Sequence, residues 1–247
     1  MKAIAGIDFE ASMVRMFGAG GEYSCKTHGD YHAWENNSQC NECGKEASEK
    51  AERIAASEHR AAIAAGRWAR CGMPEKFCGI TLAEWISETP EQNNAKRHAE
   101  SFASGDINRM LFIGNCGTGK TMLAAGVIGQ MASGNRNPTY TTATRMIRSI
   151  RDTWKDGTSE QAAMDRFISA DVLVIDELGA GRCTEDDKLI LSEILCDRYA
   201  IEKATLLISN LTAEQIKATV MDERATDRMR EGGKIVPMMW ASKRRGM

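Results

Sequence analysis

No apolar run in this 247-residue chain approaches the roughly 18 residues that a membrane-spanning helix needs. No secretory leader is legible either, since Asp8 and Glu10 stand where a leader would be apolar. An excess of one charge is also missing. Thirty-two basic side chains against 34 acidic ones leave a net charge of −2, which excludes a generally basic nucleic-acid coat and moves the question to individual segments. These absences lead to the expectation of a cytoplasmic protein with no membrane partner. Global disorder is excluded by a hydrophobic content of 43%. The length suits one substantial domain plus a small appendage.

Eight cysteines are present, and in a cytosolic chain they read as reduced thiols or metal ligands rather than disulfides. Cys71, Cys78, Cys116, Cys183 and Cys196 are scattered singly and read as small hydrophobes. The other three belong to a pattern. Cys25-x₂-His28 is followed, after eleven residues, by Cys40-x₂-Cys43. Two short chelating pairs across a loop have the spacing of a closed structural zinc site. Thr27-His28-Gly29 and Asn41-Glu42-Cys43-Gly44 read as tight turns that point both ligands of a pair at one metal. The segment from Gly29 to Gln39 is polar and could not fold on its own apolar content. His32 is an alternative fourth ligand to His28.

Residues Lys45 to Arg70 contain no proline and are rich in Ala, Glu, Lys and Arg. They predict a helix with acids early and Arg60, Arg67 and Arg70 late, in accord with the helix dipole. The apolar stripe (Ala51, Ile54, Ala55, Ala61, Ala62, Ala65) is weak. It fits an exposed arm, either a solvated linker or a partner-binding helix.

Beyond Pro74, apolar strands alternate with helices. Strands are expected at Met110–Ile113, Thr139–Thr142, Asp171–Ile175, Thr205–Ser209 and Lys234–Met239, in a mainly parallel sheet with helices on both faces. Gly114-Asn115-Cys116-Gly117-Thr118-Gly119-Lys120-Thr121 fits G-x-x-x-x-G-K-[ST] between the first strand and a helix. Its glycines let backbone N–H groups turn around the phosphates of ATP. Lys120 reaches the β- and γ-phosphates, and the Thr121 hydroxyl is a Mg²⁺ ligand.

Ala170 to Ile175 is a continuous apolar strand that ends in Asp176-Glu177. Asp176 is expected at the Mg²⁺ edge of the phosphate loop. Glu177 is expected to point elsewhere and to deprotonate a water for attack on the γ-phosphate, so the pair argues for ATP hydrolysis. Asn210, after the strand Thr205–Ser209, is a candidate polar sensor. Arg224 and Arg228 share a helix face. They serve either an ordinary salt-bridged helix or a neighbouring subunit's site.

These residues resemble a known family. From about Met73 onward, about 70% of the chain, the sequence resembles the DnaC-type replicative helicase loaders of the AAA+ class, and the IstB-type transposition ATPases share much of this core. The matches are the phosphate loop, Leu173-Val-Ile-Asp-Glu-Leu-Gly179, Ile208-Ser-Asn210 and Glu223-Arg-Ala-Thr-Asp-Arg-Met-Arg230. Met73-Pro74-Glu75-Lys76-Phe77 resembles a segment near the adenine, and Trp240-Ala-Ser-Lys-Arg244 a C-terminal Trp-x-Ser-x-Arg.

The resemblance implies an AAA+ P-loop NTPase fold for residues 73–247; the ligand spacing and helical composition before it predict a zinc-ribbon-like module (1–45) and a helical arm (46–72). It implies roles for Lys120, Thr121, Asp176 and Glu177 at the nucleotide, for Asn210 as first sensor, and for Arg224 as trans-acting arginine beside Arg228. The short tail after the last strand leads to the expectation that no helical lid follows. Arg145, Arg148 and Arg151 form a basic stripe on the segment that touches single-stranded DNA in the family; the residues alone fit a solvated face as well. The implied partners are a hexameric replicative helicase, single-stranded DNA and further copies of the chain. The N-terminal third departs from the familiar bacterial loaders and resembles phage or prophage loaders. An IstB-type transposition helper, or a zinc-containing adaptor whose ATP site only controls assembly, are the alternatives.

Overall fold

The structure, a computed structural model, describes residues 19–34, 39–157, 159–181 and 183–243. Asp8, Glu10 and Arg244 lie outside the described residues. Two compact units divide the chain, Met1–Arg60 and Ala61–Met247.

In the first unit, β1 (Gly20–Cys25) and β2 (Gly29–Trp34) form an antiparallel hairpin. Strand structure in Gly29–Trp34 was not apparent from its polar composition. It is held by cross-strand pairing: Tyr23 sits opposite Tyr31 with their rings stacked at 6.0 Å. The helix α1 runs Asn41–Arg70, four residues earlier than its composition predicts, and none of its residues is buried. The second chelating pair therefore lies at a helix start and not on a free turn. The division at Arg60 falls inside α1.

In the second unit, α2 (Pro90–Ser104) is delimited by local chemistry. The Thr89 side chain accepts from the Gln92 N–H, Pro90 occupies the first turn, and Gly105 closes the helix at φ 97°. The chain continues with β3 (Arg109–Ile113), α3 (Lys120–Ser133), β4 (Pro138–Thr142), α4 (Ala143–Asp156), α5 (Glu160–Ile168), β5 (Val172–Leu178) and α6 (Glu185–Ala200). It ends with β6 (Ala204–Ser209), α7 (Ala213–Thr219), α8 (Glu223–Arg230) and β7 (Lys234–Pro237). The last strand stops at Pro237, two residues before the expected end.

Among the described residues five strands form one sheet in the order β4-β5-β6-β3-β7, every pair parallel. Alternate residues feed two cores. Met110, Phe112, Val172, Val174, Leu206 and Ile208 pack with α2 and α3, whereas Leu111, Ile113, Leu173, Ile175 and Leu207 pack with α4 to α8. Both faces are dry, which is why these strands read as unbroken apolar runs.

The sheet is fastened at its starting edge by Arg198, which is fully buried. Its guanidinium donates to the carbonyls of Phe167 (2.6 Å), Ile168 (2.9 Å) and Ala170 (2.8 Å), to Ala204 O, and to Thr205 Oγ1 (2.9 Å). Burial pushes its pKa down to about 10, so it remains charged at neutral pH. Replacing Arg198 with Leu leaves these acceptors dry and unpaired. The expected loss is about 3 kcal/mol or more, since one orphaned buried group costs ~1–3 kcal/mol. Arg198→Lys should recover less than half, because an ammonium lacks the planar fork. Denaturant midpoints of the three proteins check this.

Candidate nucleotide site and metal centre

Because the strands are parallel, their C-terminal ends share one edge. β3 leaves that edge into the loop Gly114–Thr121. Gly114 has φ 142°, and a Cβ there would come within 2.1 Å of the Met238 carbonyl oxygen. Gly119 starts α3 at φ 94°, with no side-chain cap. A Cβ on Gly119 would meet the Trp85 ring at 2.4 Å. The first N–H groups of α3 thus face the loop without a side-chain acceptor, an arrangement suited to an anion. Lys120 is buried, its Nζ donating to Gly114 O (2.8 Å) and Asn115 O (2.7 Å). Thr118 is buried and donates to Asn115 O (3.0 Å), while Cys116 and Asn115 are exposed and Gly117 is half-buried.

Asp176 is 5% exposed. Its Oδ2 accepts from Thr121 Oγ1 (2.8 Å) and Tyr140 OH (2.9 Å), and its Oδ1 accepts from the Glu177 N–H (2.7 Å). Burial, then the Asp176 charge, pushes the Tyr140 phenol well above its ordinary range, so it stays a donor. The β5–β6 register shifts between Ile175 and Leu178, and Glu177 sits in this irregularity at φ 56°. The two carboxylates diverge there: Asp176 is buried against α3 and Glu177 is exposed. β6 lies between β3 and β5, so Asn210, exposed at its end, stands between the phosphate loop and the acidic pair.

The arginines separate. On α8, Arg224 is exposed, while Arg228 packs over the Tyr199 ring (4.7 Å) and pairs with Glu231 (3.5 Å). On α4, Arg145 and Arg148 are exposed. Arg151 does not share their freedom: it pairs with Asp187 at 2.8 Å and donates to Thr184 Oγ1 at 3.0 Å. Arg148, Arg151 and Gly179–Gly181 line a cavity of about 300 Å³ beside α4.

The C-terminal segment closes over the phosphate loop. Trp240 Nε1 donates to Thr118 O (3.0 Å), and the Lys243 N–H donates to Gly117 O (2.9 Å). Lys243 Nζ lies 5.6 Å from the Trp85 ring centre and pairs with Glu88 at 3.4 Å.

In the first unit Cys25, His28, Cys40 and Cys43 converge, their ligand atoms all within 4.8 Å of one another. His28 presents Nδ1 to the sulfurs, at 3.3 Å from Cys43 Sγ, and its Nε2 lies 3.2 Å from Glu46 Oε1. The backbone N–H groups of Thr27 and His28, then the Cys43 and His28 side chains, pull the Cys25 thiol down to about 6. The Cys25 neighbour pushes Cys43 up to about 12. Three thiols and an imidazole form a donor set suited to zinc. His32 lies instead on β2, exposed and 3.4 Å from Glu22.

Sequence reasoning missed Tyr140, Trp85 and Glu46. The contacts of Tyr140 and Trp85 are long-range. Glu46 had a local signal, standing one helical turn after Cys43.

The profile of the family described as IstB-like ATP binding protein matches residues 86–244, which span the phosphate loop, Asp176, Glu177, Asn210 and Arg224. The chain is 30% identical to the replicative helicase loader DnaC of Escherichia coli (strain K12) over 154 residues, 62% of each chain. It thus spans about 62% of the length of that relative. A crystal structure of the DnaC helicase loader superposes with TM-score 0.60 at 18% identity, covering 66% of this chain and 99% of that one. The crystal structure of DnaI does so with TM-score 0.58 at 22% identity, covering 70% and 95%. These two likenesses show the fold: an α/β fold with a parallel sheet shared with the DnaC and DnaI structures. No helix among the described residues is long and apolar enough to cross a membrane.

Trp240→Phe removes the donor to Thr118 O while keeping an aromatic ring. ATP affinity should fall about fivefold, the ~1 kcal/mol of one hydrogen bond, with the thermal midpoint little changed. Fluorescent nucleotide titration reads this, and an unchanged affinity would show that the segment does not shape the loop.

Proposed function

The chain belongs to the IstB-like ATP-binding family, and on that premise we propose that it is an ATP-hydrolysing loader of a replicative DNA helicase onto single-stranded DNA. The observation that carries this reading is the 30% identity to proteins named replicative helicase loaders. In this proposal residues 73–247 are the ATPase domain, 46–72 an arm and 1–45 a metal module.

ATP is bound by the backbone N–H groups of Gly117 to Thr121 and by Lys120, which exchanges its two loop carbonyls for phosphate oxygens. Thr121 and Asp176 hold Mg²⁺, which when bound neutralises charge on the β- and γ-phosphates. The Thr121 hydroxyl fits this role because it gives its proton to Asp176 and keeps its lone pairs for a cation. Glu177, turned out of the sheet, takes a proton from the attacking water. Asn210 orients that water or the γ-phosphate. Arg224 is offered to the ATP of a neighbouring copy, whereas Arg228 is engaged on Tyr199 and supports α8. Arg145 and Arg148 meet the backbone of single-stranded DNA. The ion pair with Asp187 leaves Arg151 a supporting part.

The Cys25, His28, Cys40 and Cys43 cluster holds a structural zinc ion. Glu46 orients His28 so that Nδ1 faces the metal. Residues 1–70, which include it, are proposed to grip the helicase. A second reading is favoured by the family description itself: an IstB-type ATPase that binds duplex DNA and a transposase.

Glu177→Gln should lower phosphate release about 100-fold or more while ATP still binds, the scale of a lost general base. The adaptor reading predicts instead that biological activity survives this change. Elemental analysis of the purified chain should find one zinc per molecule, and Cys40→Ser should lose it with ADP binding intact. Capture of the replicative helicase by the full chain, stronger with ATP than with ADP, supports the loader; capture of a transposase instead reverses the order of the two readings.

A further inference from the structure

Tyr140 occupies an unusual place. β4 is an edge strand, paired with β5 on one side only. Along that pairing Tyr140 faces Val174 and Thr142 faces Asp176. Tyr140 and Thr142 are two residues apart and so lie on the same face of the sheet. The phenol thereby reaches diagonally to Asp176, a span within the range of an aromatic side chain. It donates to Oδ2 at 2.9 Å, the same oxygen that accepts from Thr121 at 2.8 Å.

The unpaired edge of β4 is met by the connector that follows α1. The Tyr140 N–H donates to Cys71 O at 2.6 Å. Gly72 follows at φ 87°, and a Cβ there would come within 2.7 Å of the Tyr140 carbonyl oxygen. Cys71 is 2% exposed, so this junction is built into the core. One residue thus has its backbone fixed by the connector and its side chain fixed on the acidic strand's buried carboxylate.

We propose that Tyr140 is a positioning residue for Asp176: its hydroxyl holds Oδ2 toward Thr121, and the connector Cys71–Gly72 sets where that hydroxyl stands. This rests on Asp176 and Thr121 being the cation's side chains. A carboxylate 5% exposed needs donors to hold its orientation. The Glu177 N–H fixes Oδ1. On Oδ2 the Thr121 hydroxyl must also turn a lone pair to the cation, so Tyr140 is the donor with no second duty. The arm's end and the metal carboxylate are then linked through one side chain, and displacement of the connector reaches the site.

The test is ADP binding by the full chain at graded Mg²⁺ concentrations, for the wild type, Tyr140→Phe and Gly72→Ala. In Tyr140→Phe the Mg²⁺ concentration that half-maximally tightens ADP binding should rise about tenfold, the lower end of the effect of losing a partner behind a metal ligand. ADP affinity without Mg²⁺ should stay at the wild-type value. Gly72→Ala should move the Mg²⁺ requirement in the same direction. An unchanged Mg²⁺ requirement in Tyr140→Phe overturns the proposal. So does an equal loss of ADP affinity with and without Mg²⁺, which would mean that the phenol only completes the core. If Mg²⁺ fails to tighten ADP binding by the wild type, the reading of the cation site itself falls, and the proposal with it.

Discussion

The sheet depends on a buried guanidinium. Arg198 brings its charge into a dry region, where the Asp171 carboxylate favours it and five oxygens take it up as hydrogen bonds. Two belong to the end of α5, one to the segment entering β5 and two to the start of β6. A planar fork with five N–H donors is the side chain that can hold so many acceptors at once. Its effect is positional. With the starts of β5 and β6 tied together, their register is set where the strands begin. Their far ends then bring Asp176 and Asn210 to the phosphate loop.

At the other end of the sheet the geometry turns on how two adjacent carboxylates separate. A regular strand would send Asp176 and Glu177 to opposite faces, and both faces here are covered by helices. The register shift and the left-handed φ of 56° at Glu177 lift the second acid out of the sheet. For a residue with a Cβ that conformation costs about 1 kcal/mol or more. The pairing of Leu178 with Ser209, whose hydroxyl donates to Leu178 O at 2.6 Å, offsets it by resuming the ladder at once. Asp176 stays buried among donors while Glu177 faces water, so the two carboxylates suit different tasks.

What could be read in the sequence was what local spacing encodes. The phosphate loop, the apolar run ending in Asp176-Glu177 and the two chelating pairs each need only a few consecutive residues. The strands of the sheet were legible for the same reason. Long-range partners were not. Arg151 and Arg228 read as members of basic faces, yet Asp187 and the Tyr199 ring engage them. The acceptors that hold Arg198 come from α5, the approach to β5 and the start of β6, and no local spacing marks it. Tyr140 reads as one aromatic in a Thr-rich strand, because its partners are Cys71 on one side and Asp176 on the other. The hairpin was hidden by its polar composition, since its pairing rests on backbone bonds and one tyrosine stack.

The helix α1 raises a question of energetics. Thirty residues without one buried side chain gain little from packing, and helical propensity alone is marginal in water. Nucleation is the costly step, and each end of α1 has a device that offsets it. At the start, Cys43 lies in the first turns and Cys40 just before them, so drawing Cys25, His28, Cys40 and Cys43 together fixes the backbone that must nucleate. Glu46, one turn on, ties His28 to the same helix. At the end, Arg67 donates to Ala132 O at 2.9 Å and to Asn135, while Trp68 packs against the core with α3. Between these ends the alanines supply helical propensity. Among the described residues, a helix anchored at its ends leaves its middle exposed. On the proposal that the four ligands hold a cation, that cation is also a condition for the helix's first turns, so its loss should be felt along the helix before it is felt in the sheet.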